Sequence, residues 1–229
     1  MTRERLRGQA EEFAATLTHV LNATVTTGAH LTVFILDDTG HAIVAPSRTD
    51  PDTIDEVGWV PLSTAASEAE REAAPLGLKI RFRVGLDGEG DHLQVETSVF
   101  GLCVSRATGF CPIRVEYDRS KTSKQRAHVQ VHGESAGLAY AFARAGQPLR
   151  PLHKLHLPVG GHRFRPTLED FIEFLAQEHL IPEPKPGWQE VLRRSRSGWE
   201  THQVRAAVRR HPEAAAAQLR LQGYTVAPP

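Results

Sequence analysis

Cysteine is scarce: Cys103 and Cys111 are the only two in 229 residues. That number rules out a disulfide framework and a zinc site built from cysteine alone, and both thiols are expected to be reduced. Long apolar runs are missing too. No stretch approaches membrane-spanning length, and the N-terminus, MTRERLRGQAEEFAATL, carries charges where a signal peptide needs an apolar run. The expectation is a cytoplasmic protein with no membrane partner. A dominant charge of one sign is also lacking, with 27 Lys and Arg against 27 Asp and Glu, so no global field draws the chain to nucleic acid. The charge is segregated nonetheless. Nine acids face two bases between Asp37 and Glu72, and nine bases face one acid between Arg119 and Arg165. An anionic partner would meet the second stretch.

What is present suits an α+β fold: a mostly antiparallel meander sheet covered on one face by helices, with a C-terminal helical annex. Leu6, Ala10, Phe13, Leu17 and Leu21 recur at helical spacing, giving an amphipathic first helix that ends near Asn22. The run HLTVFILDDTGHAIVAP reads as a hairpin turning at Asp38-Thr39-Gly40, its first strand buried on both faces. Ser47 to Ala74 is acidic surface with a short helix capped by Ser67 and Glu70.

Four segments then alternate. Ile80, Phe82 and Val84 oppose Lys79, Arg81 and Arg83; Leu93, Val95 and Val99 oppose His92, Gln94, Glu96 and Ser98. Ile113, Val115 and Tyr117 oppose Arg114, Glu116 and Asp118, while Val129 and Val131 oppose His128, Gln130 and His132. Placing Cys103 across from Cys111 pairs Val99 with Val115 and turns both cysteines to the core. Further on, Ser135 caps a helix carrying Leu138 and Phe142. A short strand and a Gly160-Gly161 turn lead to a helix with Thr167 as N-cap, Asp170 at the capping-box position and a stripe of Leu168, Phe171, Ile172 and Leu175. IPEPKPG is the best linker candidate. It divides the chain into a sheet domain, 1–182, and a helical annex, 183–229, in which Trp188, Leu192 and Trp199 share one stripe as packing anchors.

The segment CPIRVEYDRSKTSKQRAHVQVHGES holds the first candidate site. If its hairpin is symmetric, Asp118 lies opposite His128, Glu116 opposite Gln130 and Arg114 opposite His132, all on the face away from the core. His128 and His132 are then acid/base candidates, with Asp118 and Glu116 orienting them and Arg81 and Arg83 holding phosphate. The histidines lie about 13 Å apart along a strand, too far for one metal ion to take both without further ligands. The same residues equally suit a wet sheet face of cross-strand ion pairs. HLPVGGHRFRPTLED adds His162, Arg163 and Arg165 before a helix N-terminus, a setting that favours anions. No nucleotide fingerprint, Ser-His-Asp order or deaminase zinc motif occurs, so neither cofactor nor metal is expected.

The stretch Arg114 to Leu180 and the tail GWETHQVRAAVRRHPEAAAAQLRLQGY resemble a family of proteins from high-GC actinobacteria. More distantly, the order VEYD, HVQVH, RPTLEDFIEFL is similar to the layout of TumE-type toxin-antitoxin proteins, with Tyr117, Asp118, His128 and His132 at the motif positions and no contiguous histidine run. That likeness implies a nucleic-acid partner and a metal-independent, ribonuclease-like activity. The alternative is a non-enzymatic interaction or regulatory module that docks a protein partner through the sheet face or the Trp- and Arg-bearing C-terminal helix.

Overall fold

The computed structural model describes residues 2–36, 39–46, 59–104, 109–121, 126–133, 136, 148, 151, 157–158 and 165–227. Helix α1 (Thr2–Thr24) buries Leu6, Ala10, Ala14, Leu17, Val20 and Leu21 along one face and runs two residues past the expected end at Asn22. The Thr24 hydroxyl prolongs that last turn by donating to the Val20 carbonyl at 2.7 Å. The eight strands described are β1 (Leu31–Leu36), β2 (His41–Pro46), β3 (Trp59–Pro61), β4 (Gly77–Leu86), β5 (Leu93–Cys103), β6 (Ile113–Asp118), β7 (Ala127–Val131) and β8 (Leu157–Pro158). They form one antiparallel sheet in the order β1-β2-β4-β5-β6-β7-β8, and β3 pairs with β4. Where β2 leaves β4 at Phe82, β3 continues the lane against Gly77 to Lys79. A side chain at Gly77 would bring its Cβ within 2.2 Å of the Trp59 ring, so glycine is what lets the indole lie flat there. In β1 only Leu31 is buried, contrary to the expectation of burial on both faces, because β1 is the sheet's edge; β2 is the buried member of the hairpin.

The core lies on one face. Leu78, Ile80, Phe82 and Val84 of β4 and Phe100 and Leu102 of β5 meet α1 and helix α3 (Leu168–Gln177), which buries Leu168, Phe171, Ile172 and Leu175. Aromatic contacts run through it, from Phe13 to Phe82 at 5.0 Å, to Phe100 at 5.2 Å and to Phe171 at 6.3 Å. The capping box at α3 is present in full: Asp170 N–H donates to the Thr167 hydroxyl at 3.2 Å, and Thr167 N–H donates to the Asp170 carboxylate at 3.0 Å. The short helix α2 (Glu68–Glu72) likewise starts at Ser67. The helix expected after Ser135, with Leu138 and Phe142, falls outside the described residues.

Two registers differ from expectation. A β-bulge between Arg83 and Val84 leaves Glu96 as an extra residue on β5, which reverses the alternation beyond it. Ser98, Phe100 and Leu102 therefore point inward, and Val99 turns outward opposite Glu116 while Phe100 pairs with Val115. Pairing is displaced by one residue, and Cys103 falls beside Pro112. Its sulfur still reaches Cys111, and the two cysteines form a disulfide instead of standing reduced. Both are buried beneath Gly101, where a Cβ would stand 3.0 Å from the Cys111 sulfur, on the side of the sheet away from Phe100. In the β6–β7 hairpin the pairing is shifted by two, so the faces are as expected but the partners are not: Glu116 faces His128 and Arg114 faces Gln130.

Helix α4 (Trp188–Arg210) and helix α5 (Pro212–Leu221) make up the annex. The 182–187 stretch docks: Lys185 N–H donates to Thr24 O at 2.8 Å, and its ammonium group donates to Asn22 O at 2.7 Å and Thr27 Oγ1 at 2.9 Å. Leu192 is fully buried, and Arg196 reaches back to Asp170 (3.0 Å), Glu173 and the Glu169 carbonyl, clamping α4 onto α3. No helix among the described residues is long and apolar enough to cross a membrane.

Candidate functional site

The outer sheet face, with its alternating polar residues, is where the sequence places its first site. Glu116 Oε2 lies 3.2 Å from His128 Nε2 and Glu116 Oε1 lies 2.6 Å from Arg114 Nε, while Arg114 Nη2 donates to Gln130 Oε1. The His128–Glu116 bond is the largest influence on the Glu116 carboxyl and holds it below its ordinary value; burial opposes this, and Arg114 adds to it. These residues form a compact network, partly accessible at Arg114 and Glu116 but shut away at the other two. His128 is 3% exposed and Gln130 9%.

The remaining catalytic candidates do not join it. Asp118 serves its own turn, accepting from Ser120 N–H at 3.0 Å and Ser120 Oγ at 2.7 Å, with Lys121 at 3.4 Å. Burial pushes its carboxyl up, yet those bonds bring it out below the usual value. His132 lies past the end of β7, its ring edge-on to Phe110 at 5.0 Å and its backbone N–H donating to Pro112 O. Arg81 lies opposite Val99, and Arg83 meets His41 Nδ1 at 3.3 Å. His162 and Arg163 lie outside the described residues. Arg165 sits on the other side of the sheet, so the expected phosphate-binding set is split by the sheet itself.

Arg165 leads instead to a second site. A cavity of about 490 Å³ opens between α1, the β4–β5 hairpin, the start of α3 and the middle of α4. Phe13, Leu17, Phe82, Leu93, Val95 and Leu168 supply its apolar surface. The Arg165 guanidinium carbon lies 4.1 Å from the centroid of the Trp199 ring, a cation–π stack on the cavity wall. Part of Arg165 remains accessible, but its Nη1 is buried, as is Trp199 Nε1, and among the described residues neither donor has an acceptor. Burial is the main influence on the Arg165 guanidinium and lowers its pKa to about 10, against the pull of Tyr117, Glu169 and Asp170, so it stays charged at neutral pH. Glu169 is 6% exposed and accepts from Ser195 Oγ at 2.6 Å, tying α3 to α4 beside the stack. Glu12, His92 and His202 stand exposed at the rim.

Gly198 also lines this space. It occupies the interior of a 23-residue helix, where glycine weakens the helix, and a Cβ built there meets nothing within 4 Å. Trp199 reads from the sequence as a packing anchor; its shared spacing with Trp188 and Leu192 was the one signal that it faces inward. Nothing in the sequence ties it to Arg165, which is 34 positions earlier.

Among the described residues no group of three or more His, Cys, Asp or Glu is placed to hold a metal ion. Compared with known protein families, curated proteins and solved structures, the chain matches none.

Proposed function

We propose that the chain is a non-enzymatic regulatory module, and that its site is a small-molecule cavity beneath α4, in place of the protein-docking sheet face or C-terminal helix that the alternative reading of the sequence had named. The observation that carries this reading is the cavity's construction. A volume of about 490 Å³ falls within the range of small-molecule sites, and its apolar floor with a few convergent polar groups matches their make-up. Gly198 lines it from an exposed position with open space where a Cβ would stand, at a cost to the helix. Occupancy would be felt by α4, which forms the cavity wall and leads directly into the exposed C-terminal helices, a route by which a small ligand could alter what the annex presents to a protein partner. The test is a thermal-shift screen with small amphiphiles. A ligand at a hundred times its Kd adds about 2.7 kcal/mol of stability, or about 5–10 °C in Tm for a chain of this size. Gly198→Phe, which fills the space, should lose the shift. A screen with no stabilising compound, or shifts that persist in Gly198→Phe, would contradict the reading.

A second reading, ribonuclease-like action on nucleic acid, draws on one observation: Arg81, Arg83 and Arg114 share the outer face with the Glu116–His128 pair, in which a carboxylate fixes an imidazole. The burial of His128 weighs against it, because a general base must reach its substrate. Incubation with RNA and DNA panels, with and without chelator, separates the two. Cleavage that disappears in His128→Ala would favour the second.

A further inference from the structure

We propose that the open edge of the sheet, β1, is a dimerisation surface, and that its occupant is β1 of a second copy of this chain, paired antiparallel about a two-fold axis with Phe34 facing the partner's Phe34. This goes beyond the reading of the cavity and does not depend on it.

A strand at the edge of a sheet presents unpaired N–H and C=O groups, and folds blunt such edges with proline, charge, bulges or very short strands. The two edges of this sheet differ in that respect. β8 spans two residues and holds Pro158. β1 is six residues long, LTVFIL, with no charge, no proline and an unbroken register against β2, and no strand among the described residues pairs with its far side. Its open groups can be named. Leu31 N–H donates to Thr18 Oγ1 at 3.0 Å and not to Pro46 across the ladder, and the backbone groups of successive residues alternate between the two sides of a strand. Thr32, Phe34 and Leu36 therefore bond β2, while Val33 and Ile35 turn their N–H and C=O to the open edge.

A second β1 answers those groups in one antiparallel register. Val33 of each copy meets the partner's Ile35, every N–H and C=O of the two residues is paired, and Leu31 keeps Thr18. The neighbouring register, centred on Val33, would need the Leu31 N–H that Thr18 already holds. The side chains agree with this choice. Val33 and Ile35 pack against the core and would carry its apolar layer across the boundary. On the other face the half-buried Phe34 meets its own copy at the close, non-hydrogen-bonded spacing, where aromatic pairs are favourable, and Thr32 meets the partner's Leu36. Charge sets the direction. In the sequence β1 follows His30 and precedes Asp37 and Asp38, so antiparallel copies keep the acids of one at the histidine end of the other, whereas parallel copies would bring acid against acid. Pairing uses β1 in both copies and leaves β8 at the outer edges, so the assembly closes as a dimer.

The experiment is sedimentation equilibrium of the full chain over a concentration series. One strand pair makes a small interface, so a monomer–dimer equilibrium at roughly micromolar concentration is expected. Phe34→Lys sets two ammonium groups face to face across the axis and should weaken the dimer by roughly tenfold or more. Phe34→Glu should do the same, and an equimolar mixture of the two variants should recover the dimer, because the register places lysine against glutamate. Val33→Pro removes the N–H aimed at the open edge and leaves the β1–β2 bonds in place; it should be monomeric with the far-UV circular dichroism of the unaltered chain, and it provides the test if the Phe34 variants unfold. A chain that stays monomeric at every concentration, an assembly larger than a dimer, a dimer that survives Val33→Pro, or Lys and Glu variants that stay apart when mixed would overturn the proposal. None of these outcomes bears on the cavity, whose test is ligand binding.

Discussion

Replacing Gly198 by alanine should make the protein more stable, and the size of the gain follows from two observations. The residue lies inside α4, ten positions from Trp188 and twelve from Arg210, so the full helix-propensity difference applies, about 0.8–1.0 kcal/mol in favour of alanine. Nothing has to be subtracted for crowding, because the new methyl group meets no heavy atom within 4 Å. The Tm should therefore rise by about 2–4 °C. Urea unfolding followed by tryptophan fluorescence would show the midpoint moving up with the slope unchanged, since the surface exposed on unfolding is nearly the same. Gly198→Phe carries the test from stability to function: a fold at least as stable as that of the unaltered chain, with ligand binding lost. A drop in stability of more than about 0.5 kcal/mol in Gly198→Ala would mean that the space beside α4 is not open, and the argument from an unfilled cavity would fail with it.

Two further outcomes concern the sheet. The Glu116 carboxyl is held below its ordinary value by His128 and Arg114, so its contribution to stability is present above the unfolded-state pKa and is lost as pH falls through the folded one; Glu116→Gln should cost about 1–3 kcal/mol at neutral pH and flatten that part of the acid limb of a stability-versus-pH curve, and an acid limb identical to the unaltered chain's would refute the pairing. Reduction of the Cys103–Cys111 disulfide, which closes a loop of sequence separation 8, should lower stability by about 2–3 kcal/mol on the loop-entropy estimate; a reducing cytosol would open such a bond, and equal unfolding midpoints with and without reductant would show that it does not form in solution.

Local rules carried the sequence reading a long way in some places. The capping residues Thr167 and Asp170, the Leu168–Leu175 stripe, the periodicity of α1 and the in-out parity of β6 and β7 are consequences of neighbours along the chain, and each is present in the fold. The failures begin where the deciding contact is distant. Nothing at Glu96 marks a bulge, since neither glycine nor proline stands there, yet one extra residue reverses every side chain from Ser98 to Cys103. A symmetric loop between β6 and β7 keeps parity under a shift of two, so alternation alone could not choose between Asp118 and Glu116 as the partner of His128. The cavity was the least legible feature of all. Phe13, Phe82, Arg165 and Trp199 come from four separate segments, and only packing reveals that two of them carry buried donors with no acceptor among the described residues.

Tryptophan fluorescence offers the most direct test, because one of the three tryptophans stands in the proposed site. In a Trp59→Phe, Trp188→Phe background, Trp199 alone reports, and titration with an amphiphile that stabilises the chain in the thermal-shift screen should change its emission along a saturable one-site curve that Gly198→Phe abolishes. An emission spectrum that stays constant through the titration, or drifts in proportion to added ligand with no saturation, would contradict the claim that this cavity is a binding site.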